Sequence, residues 1–297
     1  MLSILIPTYN YNAVSLVKTL LDQLKNQNIF YEIICFDNNS KTSIRKKNVE
    51  INNFKFCSYK LLNKDVGRSK IRNLLAEEAN YDWLLFLDVD VLPVKEDFIE
   101  KYLKALKSNT VKVVYGGLKY HDEKPSSDKL LRWVYGKKRE EISLEKRSIA
   151  KEIHFSSANF LIGKITFNKI KFDESLTKYG HEDTLLAIEL KNNNISIAQI
   201  NNPVYHLGLD QNEIFIEKSS KAVENLMYLQ NQNKINIHQN KLLKTFKNLT
   251  KLKMNYLMEF IFKKYAHKME KNLNSQNPSL FIYDLYRLGY LSSIYKY

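Results

Sequence analysis

The sequence predicts an α/β protein with a mainly parallel central sheet covered by helices on both faces. Apolar, strand-like segments alternate along the chain with amphipathic helical segments, which is the pattern of successive βαβ units. The run 84–87 is apolar throughout, as expected of a strand buried inside such a sheet. A chain of 297 residues has room for one large domain, or for a domain of about 200 residues with an appendage.

The elements follow in a regular order. We expect strands at Ser3–Ile6, Tyr31–Phe36, Phe54–Leu61, Trp83–Leu87, Val111–Tyr115, Ser157–Ile162, Ile195–Ile200 and Val204–His206. Apolar spacing predicts helices over 16–24, 71–76 and 98–106, the first behind an N-cap at Asn12. The polar segment 119–153 breaks the alternation, and we interpret it as an insertion over the active face, where loops carry specificity. After residue 206 the chain has a helical pattern.

Composition and charge restrict the classes of function. The net charge of +14 favours an anionic partner, although a general richness in Lys, Asn and Ile is also typical of an AT-rich genome. Residues 211–297 hold 14 Lys and Arg against 6 Asp and Glu, so the tail is the basic part. No apolar run is long enough for a membrane span, and no secretory signal precedes the first strand, so we expect a cytoplasmic protein. Cys35 and Cys57 have no CxxC spacing and are predicted to be buried, reduced thiols.

Two carboxylates, Asp88 and Asp90, directly follow the buried run. Residues i and i+2 of a strand point to the same side, about 6.5 Å apart, so both acids are expected to face one site. Ligands of open α/β sheets bind beyond the carboxyl ends of the strands, and buried acids need compensation. The pair therefore predicts a hard cation, Mg²⁺ or Mn²⁺, that carries phosphate. As an isolated pattern, Asp-x-Asp also occurs by chance in loops and strand ends.

Four further motifs accompany the Asp pair. They are Ile4-Leu5-Ile6-Pro7-Thr8-Tyr9-Asn10, Phe36-Asp37-Asn38-Asn39-Ser40, Asn63-Lys64-Asp65-Val66-Gly67-Arg68-Ser69-Lys70-Ile71-Arg72-Asn73 and Tyr179-Gly180-His181-Glu182-Asp183. In this order they resemble the glycosyltransferases of family 2, which have a GT-A, Rossmann-like fold and transfer sugars from nucleotide-sugar donors. The resemblance implies a catalytic domain over residues 1–210 and leaves 211–297 as a basic helical C-terminal extension.

The resemblance also implies a donor site. The donor-binding residues are then Pro7, Thr8, Tyr9, Asn10, Asp37, Asn38, Gly67, Arg68, Arg72 and Asp88. Asn38 and Asn39 depart from the family pattern, which has a second acid and a glycine at these positions. Asparagine suits a left-handed turn, and its amide can still bond a base or ribose. Gly67 permits close backbone approach, and the N-terminus of the helix that follows favours negative charge.

For catalysis, the resemblance implies Asp183 as the base and Glu182 as a residue that orients the acceptor or its loop. Inverting transfer needs a carboxylate that takes the proton from the acceptor hydroxyl. From the residues alone, the two acids can equally mark the start of a helix, where the macrodipole favours them. The implied metal ligands are Asp90, Asp88 and His206, for Mn²⁺ or Mg²⁺, although a lone histidine is also a common structural residue.

The tail leaves two interpretations open. Apolar residues recur at helical spacing among lysines over 241–271, and such a helix either contacts an anionic membrane or packs against the protein or a second subunit. The basic residues at 132–139 either close over the donor or form a solvated surface.

The predicted function is inverting, metal-dependent transfer from a UDP-sugar to a glycan or lipid-linked acceptor, in surface polysaccharide or lipid-linked oligosaccharide synthesis. The expected location is the cytoplasm, with peripheral contact on the inner face of the membrane and no nucleic-acid partner. A nucleotidyltransferase is the alternative enzyme, but the turn after the first strand lacks a glycine- and lysine-rich triphosphate loop. A noncatalytic sugar- or nucleotide-binding module is the third hypothesis, and the two acidic clusters count against it.

Overall fold

A computed structural model describes residues 1–108, 110–150 and 154–295, and its contacts divide the chain into two compact units. The sheet unit consists of Met1–Tyr120, Glu141–Ser175 and Glu182–Gly208. The helical unit consists of His121–Glu140, Leu176–His181 and Leu209–Tyr297. The segment interpreted as an insertion is thus shared between the two units, and its residues 151–153 lie outside the described residues. The domain boundary at residue 210 stays a prediction.

The predicted α/β architecture is confirmed. The strands are β1 (Leu2–Thr8), β2 (Tyr31–Asp37), β3 (Cys57–Leu61), β4 (Trp83–Leu87), β5 (Val91–Pro93), β6 (Val113–Tyr115), β7 (Leu118–Lys119), β8 (Asn159–Gly163), β9 (Ile197–Gln199) and β10 (Val204–His206). The main sheet has the order β3-β2-β1-β4-β8-β6-β9, in which β8 is antiparallel to both neighbours and the other pairs are parallel. A small second sheet has the order β5-β10-β7.

The helices surround this sheet or build the second unit. In chain order they are α1 (Val14–Leu24), α2 (Thr42–Asn48), α3 (Arg68–Glu78), α4 (Phe98–Ala105), α5 (Leu130–Tyr135), α6 (Leu144–Ile149), α7 (Lys164–Ile170), α8 (Glu182–Asn192), α9 (Asn212–Asn231), α10 (Lys241–Lys251), α11 (Asn255–Leu273) and α12 (Leu280–Ile294). Short 3₁₀ segments lie at Val49–Asn53, Ser127–Lys129 and Ile237–Gln239, and a π-helical turn at Gly136–Glu140. None of the helices in the described part of the chain is long and apolar enough to cross a bilayer.

Three local expectations differ from the structure. Ala13, not Asn12, is the N-cap of α1, and Asn12 Oδ1 instead accepts from the Val14 amide at 3.0 Å. The third strand begins at Cys57, because Phe56 has a left-handed backbone (φ 63°) that interrupts extended structure. Both cysteines are free, but only Cys35 is buried, while Cys57 is half-buried.

The core of the sheet unit consists of two apolar layers, one on each face of the main sheet. Because side chains alternate along a strand, Ile4 and Ile6 of β1 join one layer, which also contains the buried face of α1. Leu5 and Phe86 join the other layer, together with α3 and α7 residues. Phe86 stacks on Phe160 of β8 with ring centroids 4.8 Å apart. Burial on both faces explains why residues 84–87 are continuously apolar.

The helical unit has its own core, formed by α5, α9, α11 and α12. Its buried members are Leu131, Phe215, Ile216, Leu273, Tyr283 and Tyr286. Tyr135, at the end of α5, packs on Phe215 and Tyr283 with centroid distances of 5.3 and 5.4 Å. The aromatic part of the insertion is therefore a core element of this unit.

A pair of glycine substitutions tests how the turn after β6 is packed. A Cβ on Gly116 would lie 2.4 Å from the backbone oxygen of Asn202 and 2.5 Å from Nδ2 of Asn159. Gly116→Ala is expected to lower the free energy of unfolding by roughly 2 kcal/mol, because backbone must move to admit the methyl group. Gly163→Ala in the same unit, where the nearest atoms are 3.7 Å away, is the matched control and should change stability little. Equal urea midpoints for the two variants would contradict this packing.

Candidate functional site

The carboxyl ends of β1, β2 and β4 lie side by side and bring three of the sequence motifs together. Thr8 at the end of β1 pairs in register with Asp37 at the end of β2, and Asp88 directly follows β4. Pro7 and Thr8 belong to β1 itself, whereas Tyr9 beyond it is 55% exposed. The edge of the sheet predicted to bind a ligand therefore carries the predicted residues.

Asp37 stabilises the turn after β2. It is fully buried, Oδ1 accepts from the Ser40 amide at 2.6 Å, and Oδ2 accepts from the Tyr59 hydroxyl at 2.5 Å. Burial and the hydrogen bond to this carboxylate both raise the pKa of Tyr59. Ser40 in turn accepts from the amide of Asn10, whose backbone is left-handed (φ 50°). Asp37 and Asn10 therefore shape the turns at the two strand ends.

Asn38 connects this turn to the glycine loop before α3. Its Nδ2 donates to Asp65 Oδ1 at 2.6 Å, and its Oδ1 accepts from the Val66 amide at 2.8 Å. The same Asp65 oxygen accepts from the Gly67 amide at 2.8 Å. An acid in place of Asn38 would place like charge against Asp65, so the departure from the family pattern has a local physical reason.

Gly67 and the first turn of α3 form the predicted anion site. Gly67 has φ 83°, and a Cβ there would meet no atom within 4 Å, so the space in front of this helix N-terminus is open. Arg72 on the same helix is buried and donates through Nη2 to Asp88 Oδ1 at 2.5 Å. Its Nη1 donates to the backbone oxygen of Arg68 at 3.0 Å. Arg72 thus connects the first turn of α3 to Asp88.

The ionisation of Asp88 depends on this arginine. Burial by itself would raise the pKa of the carboxyl group, but the charges of Arg72 and Arg68 outweigh burial and lower its pKa below the ordinary value. His206 contributes in the same direction. Asp88 is therefore an ionised acid whose charge is largely balanced within the protein.

Asp90 has different surroundings. Its Oδ2 lies 3.9 Å from Nε2 of His206, which is too long for a hydrogen bond, and its backbone oxygen accepts from the Leu207 amide at 2.8 Å. A Cβ on Gly208 would lie 1.8 Å from the same Oδ2, so only glycine leaves room for this carboxylate. The antiparallel pairing of β10 with β5 produces this approach.

The residues around Asp90 fit a divalent cation. Nδ1 of His206 is buried and has no hydrogen-bond partner among the described residues, and the ring stacks on Tyr120 with centroids 5.6 Å apart. A carboxylate with an imidazole is a donor set that Mn²⁺ accepts. Within residues 1–108, 110–150 and 154–295, no three His, Cys, Asp or Glu side chains form a group that could hold a metal. A cation held here would therefore need phosphate or water oxygens as its other ligands.

Sequence reasoning missed Tyr120 and Gly208. Both act through tertiary contacts with His206 and Asp90, which no local pattern contains. Gly208 had one usable signal, since a glycine two residues after a candidate ligand indicates close approach by another group.

Glu182 and Asp183, the two acids that the resemblance implies for catalysis, lie at the start of α8. Glu182 is buried, and its Oε1 is 3.4 Å from Nη1 of Arg68, so the starts of α3 and α8 are linked within the sheet unit. Asp183 Oδ1 accepts from the Thr184 amide at 2.7 Å. Glu182 and Asp183 are the first two residues of α8, as expected if they mark the start of a helix. A position at a helix start is compatible with a catalytic role.

Three basic residues of the insertion, Arg132, Lys137 and Arg139, form ion pairs inside the helical unit. Arg139 forms two hydrogen bonds with Asp284, at 3.0 and 2.6 Å. Lys137 pairs with Asp122 at 2.7 Å. These contacts tie the segment to its own unit, so the basic run has a structural role.

Comparisons with known proteins give a family from a sequence model and a fold from a solved structure. The model of Glycosyl transferase family 2 matches residues 3–169. A search of curated protein sequences found no match.

Two solved structures illustrate the likeness. A mannosyltransferase from Pyrobaculum calidifontis, PcManGT in complex with GDP-Man and Mn²⁺, is 13% identical, with a TM-score of 0.57 over 97% of this chain and 85% of that one. TarS residues 1–349 from S. aureus is 19% identical, with a TM-score of 0.48 over 74% of this chain. This chain covers 63% of that TarS structure, less than two thirds of its length. The mannosyltransferase shows a shared fold.

Removing Arg72 tests its ion pair with Asp88. Arg72→Met should raise the pKa of Asp88 and destabilise the sheet unit by roughly 2 kcal/mol at pH 7, because a half-buried carboxylate loses its partner. The depressed pKa of Asp88 contributes stability that is present above its unfolded pKa and lost as pH falls through the folded pKa. The difference between variant and wild type should therefore shrink towards pH 4, as followed by urea unfolding with tryptophan fluorescence.

The double variant Arg72→Met with Asp88→Asn is the control for this pair. It removes both charges and should recover most of the lost stability at pH 7. A deficit that is the same at every pH, or an additive double variant, would assign Arg72 to packing alone.

Proposed function

The chain belongs to glycosyl transferase family 2, and from that premise we propose that it is an inverting, metal-dependent enzyme that moves a sugar from a UDP-sugar to a hydroxyl acceptor. One observation carries the proposal. The Arg68–Glu182 pair joins an open, anion-favouring helix start to a second pair of acids, in the same unit as Asp88 and Asp90. Transfer requires a positive site for the donor diphosphate close to an acid that can take the proton of the attacking hydroxyl.

The donor is proposed to bind at the ends of β1, β2 and β4. The N-terminus of α3 and the half-exposed Arg68 supply positive charge for the diphosphate, while Arg72 fixes Asp88 beside it. The turns held by Asp37 and Asn38 would then present backbone groups to the nucleoside, since both side chains are buried and hydrogen-bonded within the protein. The bound GDP-Man of the mannosyltransferase supports a nucleotide sugar as the ligand class.

Asp90 and His206, with Asp88 beside them, would hold the cation, for which we propose Mn²⁺ or Mg²⁺. When bound, such an ion neutralises the charge that develops on the leaving diphosphate. The Mn²⁺ of the mannosyltransferase supports this proposal. Gly208 gives Asp90 its position, and Tyr120 sets the plane of the His206 ring.

Asp183 is proposed as the catalytic base. It takes the proton of the acceptor hydroxyl while the hydroxyl oxygen bonds to the anomeric carbon, and the bond from that carbon to the nucleoside diphosphate breaks on the opposite face. The configuration at the anomeric carbon therefore inverts. Glu182, held by Arg68, orients the acceptor and keeps the start of α8 against the donor loop.

We propose a glycan or lipid-linked acceptor, in surface polysaccharide or lipid-linked oligosaccharide synthesis, in the cytoplasm at the inner face of the membrane. Residues 241–271 would supply the membrane contact. A noncatalytic sugar- or nucleotide-binding protein is the alternative. It would bind the same donors without releasing a nucleoside diphosphate.

Asp183→Asn separates chemistry from structure. Asparagine keeps the Oδ1 that accepts from the Thr184 amide but cannot take a proton at neutral pH, so donor binding should stay within about twofold. Transfer should fall at least about a hundredfold, measured as release of nucleoside diphosphate with a panel of acceptors. Glu182→Gln is the comparison variant and should lose less activity, since it orients rather than accepts the proton. Parallel loss of donor affinity and turnover would assign Asp183 to structure.

The metal and the nucleotide are tested by thermal shift. UDP, GDP, CDP and dTDP are compared with and without Mn²⁺, and a ligand at about 100 times its Kd stabilises the folded protein by about 2.7 kcal/mol. We expect selective, metal-dependent stabilisation by UDP that Asp90→Ala abolishes. Gly208→Ala should have the same effect with Asp90 intact, because the new methyl group displaces the carboxylate. Gly163→Ala is the control, and metal-dependent binding that survives in Asp90→Ala would refute the assignment of the metal site.

A further inference from the structure

Helices α10 and α11 of the helical unit carry apolar residues on two separate faces. On the inner face, Leu243, Phe246 and Met258 are buried, and the Phe246 ring lies 5.0 Å from that of Tyr295 in an edge contact. This packing already satisfies the amphipathic pattern expected for residues 241–271. Apolar residues outside it need another explanation.

A second group of large apolar side chains is exposed where α10 ends and α11 begins. The exposed fractions are 69% for Leu252, 44% for Met254, 55% for Tyr256, 52% for Leu257 and 60% for Phe260. We call this group the α10–α11 corner. On α11, positions 256, 257 and 260 lie on the side of the helix opposite Met258 and Leu273. Five large apolar side chains are thus exposed within nine residues, and such a concentration of exposed apolar groups is typical of an interaction site.

The charge around the corner is strongly positive. Residues 241–271 contain nine lysines and two acids. Lys251 and Lys253 flank Leu252, and Nζ of Lys264 lies 5.9 Å from the centre of the Phe260 ring. Both acids are engaged, Glu259 by Lys263 at 2.6 Å and Glu270 by the Tyr286 hydroxyl at 3.0 Å. The exposed apolar side chains of the corner therefore have lysines next to them.

We propose that the α10–α11 corner inserts into the interface of an anionic lipid bilayer, with its side chains in the acyl boundary and the lysines at the headgroups. A second copy of the chain fits less well, because a symmetric contact would set lysines against lysines. An anionic bilayer matches both the apolar and the charged part. This inference rests on the membrane contact proposed above for residues 241–271 and names the side chains that make it, none of which takes part in the glycosyl transfer.

The turn inside the corner gives a way to separate folding from binding. Lys253 has a left-handed backbone (φ 57°) after the end of α10, a position where glycine is preferred. Lys253→Gly should therefore keep or increase thermal stability while it removes one cation from the surface. Loss of lipid binding in a variant that is at least as stable cannot be attributed to misfolding.

The experiment is sedimentation of the full chain with vesicles of phosphatidylcholine, with and without about 30% phosphatidylglycerol. We expect binding only to anionic vesicles, and weaker binding as salt rises. Phe260→Ser and Leu257→Ser should each weaken it roughly tenfold, and Lys253→Gly several-fold. Phe281→Ser is the matched control, because Phe281 is also in the helical unit and is 70% exposed but lies outside the corner. It should bind as the wild type does.

Two results would overturn the proposal. One is equal vesicle binding by Phe260→Ser and the wild type. The other is a concentration-dependent dimer, seen by light scattering without lipid, that Phe260→Ser dissociates. UDP-dependent thermal shifts should be unchanged in every corner variant, so failure of the membrane contact remains distinct from failure of the proposed enzyme activity.

Discussion

The ion pair between Arg72, which is buried, and Asp88, which is half-buried, is the interaction on which the arrangement of the site depends. The guanidinium reaches from α3 to the residue after β4, and its other nitrogen holds the backbone of Arg68. One side chain thereby sets the distance between the start of α3 and the acidic strand end. A pair with one buried partner adds little net stability, since desolvation offsets attraction, but loss of either partner is costly. It therefore specifies geometry more than it stabilises the fold.

This pair also explains why two acids with one spacing have different surroundings. Asp88 is paired with Arg72, whose charge lowers the pKa of the carboxyl group despite its burial. Asp90, two residues further on, lies beyond the main sheet, beside the small sheet that brings His206 and Gly208 to it. The two-residue period of a strand places Asp88 and Asp90 on the same side, but it does not predict which residues each acid contacts. Asp90 contacts His206 and Gly208 because β10 pairs with β5, and that pairing is set by the tertiary fold.

The parts of the structure that could be predicted from sequence are those with a local cause. The strands Trp83–Leu87 and Val204–His206 begin and end where apolar composition places them. The strands β5 and β7 are too short to give a periodic signal, and Phe56 delays the start of β3 through a backbone conformation that composition does not reveal.

In the site, acids after strands and a glycine before a helix are visible locally. The Asn38–Asp65 bond, the Arg68–Glu182 pair and the stacking of Tyr120 on His206 join residues far apart in sequence. For that reason the sequence can nominate candidate site residues, but it cannot predict how they contact one another.

The C-terminal helices show why an amphipathic pattern alone could not decide between packing and surface contact. A stripe of apolar residues at helical spacing is one pattern in sequence, yet a helix near the surface can divide such residues between two faces. In α11, Met258 and Leu273 turn inward while Leu257 and Phe260 remain in solvent. The two interpretations are therefore compatible, because each depends on different side chains. The inward-facing residues hold the helices within their unit. The exposed residues of the α10–α11 corner form a surface whose lysines favour an anionic partner.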